Sequence, residues 1–308
     1  MFVRHVLDMK DFSKEEVERL VERALQLKKM RQRPKALRGK FLATAFFEPS
    51  TRTKLSFQRA AKELGMKVID FITEISSLRK GETDLDTLLT LEAMEINAIV
   101  VRTRKNEAPK YFAQHLSVPV INGGDGTNEH PTQAFLDLTT LYEHFAKLDL
   151  RVAIVGDILH SRVARSLVEG LNKFGANVRL CGPEEFVPKT FPGVELIAHD
   201  LREAVKDVDA IYTLRIQKER LEQVFDNVEE FFIEYQINEE ILKAAPSHAV
   251  IMHPGPINRN VEISDEVAYS KRSLILNQVK NGVYARMAVL EEALRLDETV
   301  RSLEESMA

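Results

Sequence analysis

Short apolar runs alternate with helical-period segments of about ten residues through nearly the whole chain, and this alternation restricts the fold more than any other feature. Ser13 with Glu16 is a capping-box pair, and Val17, Leu20, Val21 and Ala24 follow at helical spacing, so a first helix is expected to run to about Met30. Lys40 to Phe47 reads as a buried strand. Phe57, Ala60, Ala61 and Leu64 then fall at i, i+3, i+4 and i+7, with Gly65 as a helix stop. The alternation continues with strand 67–72, helix 83–94, strand 98–102, helix 108–116 and strand 118–122. A long helix over 130–145 precedes a second series: strand 150–155, helix 163–174, strands 177–181 and 194–198, helix 201–205, strand 210–214, helix 238–244 and strand 249–252. Short strands separated by helices imply parallel sheets covered on both faces. The expected architecture is α/β: two parallel-sheet domains, each with helices on both faces, joined by long interdomain helices. The last helix, about 283–296, has no strand after it and is expected to pack back on the first unit. The predicted domains are therefore 1–135 with 285–308, and 136–284.

A length of 308 residues suits two domains at roughly 150 each. Hydrophobic residues at 44% and charged residues at 29% are ordinary for a globular chain, which excludes disorder and repeats of collagen type. The formal charge of -4 gives no global basicity for nucleic acid or an anionic membrane. Cys181 is the single cysteine, so an intrachain disulfide and a Cys-rich metal cluster are both excluded. Charges interrupt every apolar run of the opening MFVRHVLDMKDF, and no stretch approaches the roughly 18 apolar residues of a membrane span. A cytoplasmic enzyme is expected, with no nucleic-acid or membrane partner.

In open α/β sheets ligands bind beyond the carboxyl ends of the strands, so the residues just after each strand carry the chemistry. After the first strand, Ser50, Thr51, Arg52, Thr53 and Lys54 open a helix. One hydroxyl there would suffice as a cap. Arg52 in the first turn opposes the helix dipole unless an anion sits there, so a phosphate-sized anion site is expected. The glycine-rich phosphate loop of nucleotide-binding proteins is absent. Ser76 to Thr83, SSLRKGET, is a long polar loop that reads as solvated surface or as a functional segment. Arg102 ends a strand. His130-Pro131-Thr132-Gln133 follows the turn-rich Gly123-Gly124-Asp125-Gly126 and starts the long helix, placing His130 and Gln133 on one side of it. Neither HExxH nor any paired histidine spacing occurs, so no metal site is expected. In the second unit Val155-Gly156-Asp157 ends a strand and His160-Ser161-Arg162 begins a helix; without GxGxxG, a dinucleotide cofactor is not implied. Arg215 and Gln217 follow one strand, and His253-Pro254-Gly255-Pro256 follows another.

FFEPSTRTKLSF, SSLRKGET, HPTQ, VGDILHSR, LRIQKER and MHPGPINR, in this order over nearly the whole chain, resemble the carbamoyltransferase superfamily. STRT with HPTQ marks the superfamily. The later motifs resemble its aspartate rather than its ornithine branch: LRIQKER stands where ornithine enzymes carry an SMG loop, and His253-Pro254-Gly255-Pro256 lacks the cysteine of HCLP. Arg162 and Arg215 suit a second carboxylate and would repel an ornithine ammonium. Gly255 departs from the larger apolar residue also found there.

The resemblance implies transfer of a carbamoyl group from carbamoyl phosphate to the α-amine of L-aspartate, an early step of pyrimidine synthesis, without a cofactor. It implies that the first domain binds carbamoyl phosphate and the second aspartate. By the family pattern Ser50, Thr51, Arg52, Thr53 and Arg102 hold the phosphate, Thr53, Arg102 and His130 donate to the carbonyl oxygen, and Gln133 binds the carbamoyl nitrogen. Pro254 and Gly255 supply backbone carbonyls; Arg162, Arg215 and Gln217 take the aspartate carboxylates. Lys80 and Ser77, with Ser76 an alternative to the latter, reach the active site of a neighbouring subunit of a homotrimer. Regulatory chains and dihydroorotase stand as alternative further partners.

Overall fold

The protein, seen in a computed structural model, is described over residues 3–33, 35–72, 81–215 and 234–307, with Ile72 and residues 295–307 described by backbone alone. It divides into two compact units, Met1–Thr139 with Lys280–Ala308, and Thr140–Val279.

The first unit runs α1 (Lys14–Lys29), β1 (Phe41–Phe46), α2 (Arg52–Glu63), β2 (Lys67–Ile72), α3 (Asp84–Ala93), β3 (Ala98–Thr103), α4 (Ala108–Ala113) and β4 (Val120–Asp125), and the chain leaves it within α5 (Pro131–Phe145). Helix α1 begins at the expected capping box: Glu16 N donates to Ser13 Oγ at 3.2 Å and Ser13 N to the Glu16 carboxylate at 2.7 Å. Its buried stripe is Val17, Leu20, Val21, Ala24 and Leu27. Thr83 and Asp86 form a second box at the start of α3. The strands pair in parallel in the order β2-β1-β3-β4, with Ala43 in register with Ile69 on one side and Ile99 on the other. Ala43, Ala45, Ile99 and Val101 join Leu88, Leu91 and Phe112 in one apolar cluster. On β3 only Arg102 is less than fully buried.

The second unit continues β5 (Arg151–Val155), α6 (Arg162–Asn172), β6 (Asn177–Cys181), β7 (Leu196–Ala198), α7 (Leu201–Val205), β8 (Ala210–Thr213), α8 (Glu239–Ala244), β9 (Val250–Met252) and α9 (Asp265–Ala268), and the chain returns within α10 (Ile275–Met307). Its parallel sheet has the order β7-β6-β5-β8-β9. Ala153, Val155, Ile211 and Ile251 centre a second apolar cluster. No described helix is long and apolar enough to cross a membrane.

Strand β4 and the last helix depart most from the sequence reading, which also ran α4 on to Leu116 and gave no helix at α9. Strand β4 lies over Val120–Asp125 rather than 118–122, and so absorbs glycines read as a turn. Gly123 belongs there because a Cβ would lie 3.1 Å from Val100 Cγ1 and 3.2 Å from Val101 O. The last helix starts at Ile275, not Val283, and carries Asn281 and Gly282 inside it. An interior glycine costs a helix about 1 kcal/mol against alanine. Here a Cβ at 282 would stand 2.7 Å from Arg286 Nη1, so packing overrides propensity.

Candidate active site

The sheet order of the first unit reverses between β1 and β3, and the crevice beyond such a reversal is where ligands of open sheets bind. Glu48, Thr53 and Arg102 meet at that point. Arg102 Nε donates to Glu48 Oε1 at 2.6 Å, and its Nη1 lies 3.3 Å from Thr53 Oγ1 and 3.5 Å from Gly123 O. The opposite side of the Thr53 hydroxyl faces His130 Nε2 at 3.5 Å, while His130 Nδ1 lies 3.5 Å from Thr132 Oγ1. A guanidinium, a hydroxyl and an imidazole thus surround one point, the donor set that a developing oxyanion requires. His130 and Thr53 are buried.

Helix α2 starts beside this cluster with no side-chain cap: Thr51 sits in helical backbone and accepts nothing from the first turn. The first N–H groups of a helix need partners, and here neither Ser50 nor Thr51 is committed to them, which removes simple capping as the reason for the hydroxyl run. Thr51 and Arg52 are exposed and Ser50 is half-buried. Lys54, next in the run, turns to Asp70 at 2.7 Å, where Thr44 also donates.

The approach to His130 is held by Asp125. Its fully buried carboxylate accepts from Asn122 Nδ2 at 2.9 Å, Glu129 N at 3.0 Å, Glu107 N at 2.6 Å and Asn128 Nδ2 at 3.0 Å. In the first turn of α5, Gln133 Nε2 donates to Asp137 Oδ1, one turn on, at 3.1 Å.

In the second unit the order reverses between β5 and β8. Arg162 opens α6 just past β5, and exposed Arg215 follows Leu214 just past β8. Ser161 caps α6 through Ala164 N at 3.1 Å, and Asp157 holds His160 by both its backbone N and its Nδ1. Beyond β9, Pro254 and Gly255 are half-buried. They are carried by His253, whose Nδ1 accepts from Gly255 N at 2.7 Å while Nε2 faces Glu262 Oε1 at 2.9 Å. Glu262 also accepts from Asn258 N at 2.8 Å, so one buried imidazole and one carboxylate fasten this turn at both ends. Ser77, Lys80 and Gln217 lie outside the described residues. Burial pushes the Cys181 thiol up to about 12, which keeps it protonated. Among the described residues no group of three or more His, Cys, Asp or Glu side chains is placed to hold a metal ion.

Sequence reasoning found the residues bearing charge or donors at strand ends and missed those that hold them. Glu48, Asp125 and Glu262 carry no signal beyond being acidic. Asp137 had one, its position four residues after Gln133 on the same helix.

Residues 4–143 match the carbamoyl-phosphate-binding domain model of the aspartate/ornithine carbamoyltransferases, and residues 148–292 match the aspartate/ornithine-binding domain model. The catalytic subunit of aspartate carbamoyltransferase from Thermus thermophilus is 46% identical over 297 residues, covering 95% of this chain and 98% of that one. Its counterpart from Caldanaerobacter subterraneus is 44% identical, with 94% and 98% covered. Aspartate transcarbamoylase from Trypanosoma cruzi, solved with N-(phosphonacetyl)-L-aspartic acid, superposes with a TM-score of 0.86 at 29% identity, covering 93% and 94%. Ornithine carbamoyltransferase from Pyrococcus furiosus superposes at 0.85 with 31% identity, covering 94% and 98%. The backbone is thus similar to both branches.

Proposed function

The chain belongs to the aspartate/ornithine carbamoyltransferase family, and we propose from this premise that it works as an aspartate carbamoyltransferase. It transfers the carbamoyl group of carbamoyl phosphate to the α-amine of L-aspartate, giving N-carbamoyl-L-aspartate and phosphate for pyrimidine synthesis. The observation that carries the site assignment is the convergence of Arg102, Thr53 and His130 beside the uncapped start of α2.

In this reading Ser50, Thr51, Arg52, Thr53 and Arg102 receive the phosphate. The neutral amine attacks the carbonyl carbon, and its oxygen gains negative charge facing Thr53, Arg102 and His130. As the C–O bond to phosphate breaks, the departing phosphate takes the amine proton; the free α-amine titrates at ~8, and bonding to the carbonyl carbon makes that nitrogen far more acidic, so the transfer is downhill once the C–N bond forms. His130 acts as a hydrogen-bond donor through Nε2. Gln133 accepts from the carbamoyl NH2 and the Pro254 and Gly255 carbonyls receive the remaining N–H groups. Arg162, Arg215 and Gln217 take the aspartate carboxylates. Lys80 and Ser77 complete the site of a neighbouring subunit in a homotrimer, which associates with regulatory chains, with dihydroorotase or with neither. A lone buried cysteine fits a cytoplasmic enzyme.

Turnover of purified protein with carbamoyl phosphate, offering L-aspartate, L-ornithine and N-acetylornithine separately, tests the reaction. Carbamoylaspartate alone is expected. A product only from another amine would overturn the roles of Arg162, Arg215 and Gln217.

A further inference from the structure

The Gln133 side chain raises a question its own residue type leaves open. A primary amide has a donor end and an acceptor end of nearly equal size, so it can offer a ligand either one. A carbamoyl group has an NH2 that only donates, and acetyl phosphate replaces that NH2 with a methyl of similar size. Recognition of the first over the second requires the amide oxygen to be turned toward the ligand and kept there.

Asp137 supplies that constraint. The end of Gln133 that faces the Asp137 carboxyl is the NH2, which donates to Oδ1 at 3.1 Å. Oε1 is then left on the side away from Asp137. Both side chains are buried, Gln133 at 7% exposure and Asp137 at 0%, so water does not compete for the contact. The backbone supports the same placement, since Gln133 N donates to His130 O at 2.9 Å and brings the amide into the turn that carries the imidazole.

Asp137 also lies within the electrostatic reach of a buried cation. Arg286 of α10 is 3% exposed, donates from Nη1 to Gly282 O at 3.1 Å, and lays its guanidinium 5.1 Å from the centre of the Phe57 ring. Gly282 leaves it room, since any Cβ there would press on that Nη1 and on Leu136 Cδ2. Burial pushes the Arg286 guanidinium down to about 9, Arg102 acts in the same direction, and the Asp137 carboxylate opposes both. Two buried groups of opposite sign, neither of which the proposed reaction uses directly, thus influence each other here. A buried pair of this kind is a poor source of stability compared with apolar packing, and its best-attested use is to fix a geometry.

We infer that Asp137, backed by Arg286, is a positioning residue that locks the Gln133 amide with its oxygen toward the ligand and so selects a carbamoyl over an acetyl phosphate. The inference rests on the reading of Gln133 as the carbamoyl-nitrogen partner.

The test measures affinities of carbamoyl phosphate, acetyl phosphate and inorganic phosphate for the full-length wild-type protein and for Asp137→Asn. The substituted amide can accept from or donate to Gln133, so both orientations of Gln133 become available. The preference for carbamoyl over acetyl phosphate should narrow by about tenfold, the worth of one hydrogen bond, while inorganic phosphate binds within about twofold of wild type. A merely structural role would weaken all three ligands together. Because Asp137→Asn leaves Arg286 buried without its counter-charge, the double variant Asp137→Asn, Arg286→Met is measured beside it, and the same narrowing is expected. An unchanged preference in a folded variant overturns the inference and leaves the parent reading intact. Wild-type protein that binds phosphate but does not prefer carbamoyl to acetyl phosphate overturns both.

Discussion

Helices α2 and α6 begin alike in sequence and differently in structure. Each opens just past a central strand of its sheet with an arginine as first helical residue, Arg52 in one and Arg162 in the other, preceded by a hydroxyl residue. At α6 that residue, Ser161, is extended and its oxygen accepts from Ala164 N. At α2 the corresponding Thr51 is itself helical and caps nothing. A capped terminus has consumed part of its N–H set and offers chiefly the arginine, which suits a carboxylate taken bidentately. An uncapped terminus offers backbone N–H groups, hydroxyls and the helix dipole together, which suits the larger charge and tetrahedral oxygens of a phosphate. In the proposed function the same local sequence pattern meets two anions, and what the structure itself shows is that the backbone conformation of a single residue separates the two helix starts.

The strongest way to break this contrast is to remove each arginine. Arg52→Ala should lower turnover on the order of 10³-fold and abolish measurable carbamoyl phosphate binding while the fold survives, whereas Arg162→Ala should raise the aspartate KM and leave phosphate binding near wild type. Near-normal turnover in Arg52→Ala, or an equal loss of phosphate binding in both variants, would dissolve the distinction. Next in size is complementation between inactive subunits. Equal mixing of Lys80→Ala with Arg52→Ala chains should restore about a quarter of wild-type activity if Lys80 acts in a neighbour's site, because one in four random pairings unites both intact residues. No recovery in trimers shown to be mixed would return Lys80 to its own chain. The smallest effect sharpens the comparison most directly. Ser161→Ala should cost about 1 kcal/mol in denaturant unfolding, the usual worth of a cap. Thr51→Ala should stay within about 0.5 kcal/mol, as for a surface substitution that removes no cap. Equal losses at both positions would show Thr51 to be a cap after all.

Legibility in the sequence followed the range of the interaction. The Ser13 and Glu16 capping box, the apolar stripe of α1 and the buried strands β1, β3 and β5 all arise within a few residues, and periodicity reported them. Arg52 and Arg162 were legible because a cation at a helix start lacks a local reason to be there, whereas Arg102 took its role only from the family resemblance. Gly123 misled, since glycine signals a turn by local propensity, and Gly282 was left outside the helix that contains it. At both positions it is instead the residue that a neighbouring side chain leaves room for, Val100 beside one and Arg286 beside the other.

What the sequence determined by itself was the alternation, and hence two parallel sheets with their polar groups concentrated at the strand ends. The tertiary structure alone decided which acidic residue meets which partner: Glu48 with Arg102, Glu262 with His253, and Asp137 with Gln133. The physical reason is that periodicity is a property of consecutive residues, whereas a buried charge takes whatever partner packing brings within about 3 Å. Asp137 and Arg286 stand far apart along the chain and influence each other only because α10 returns to the unit that α5 leaves.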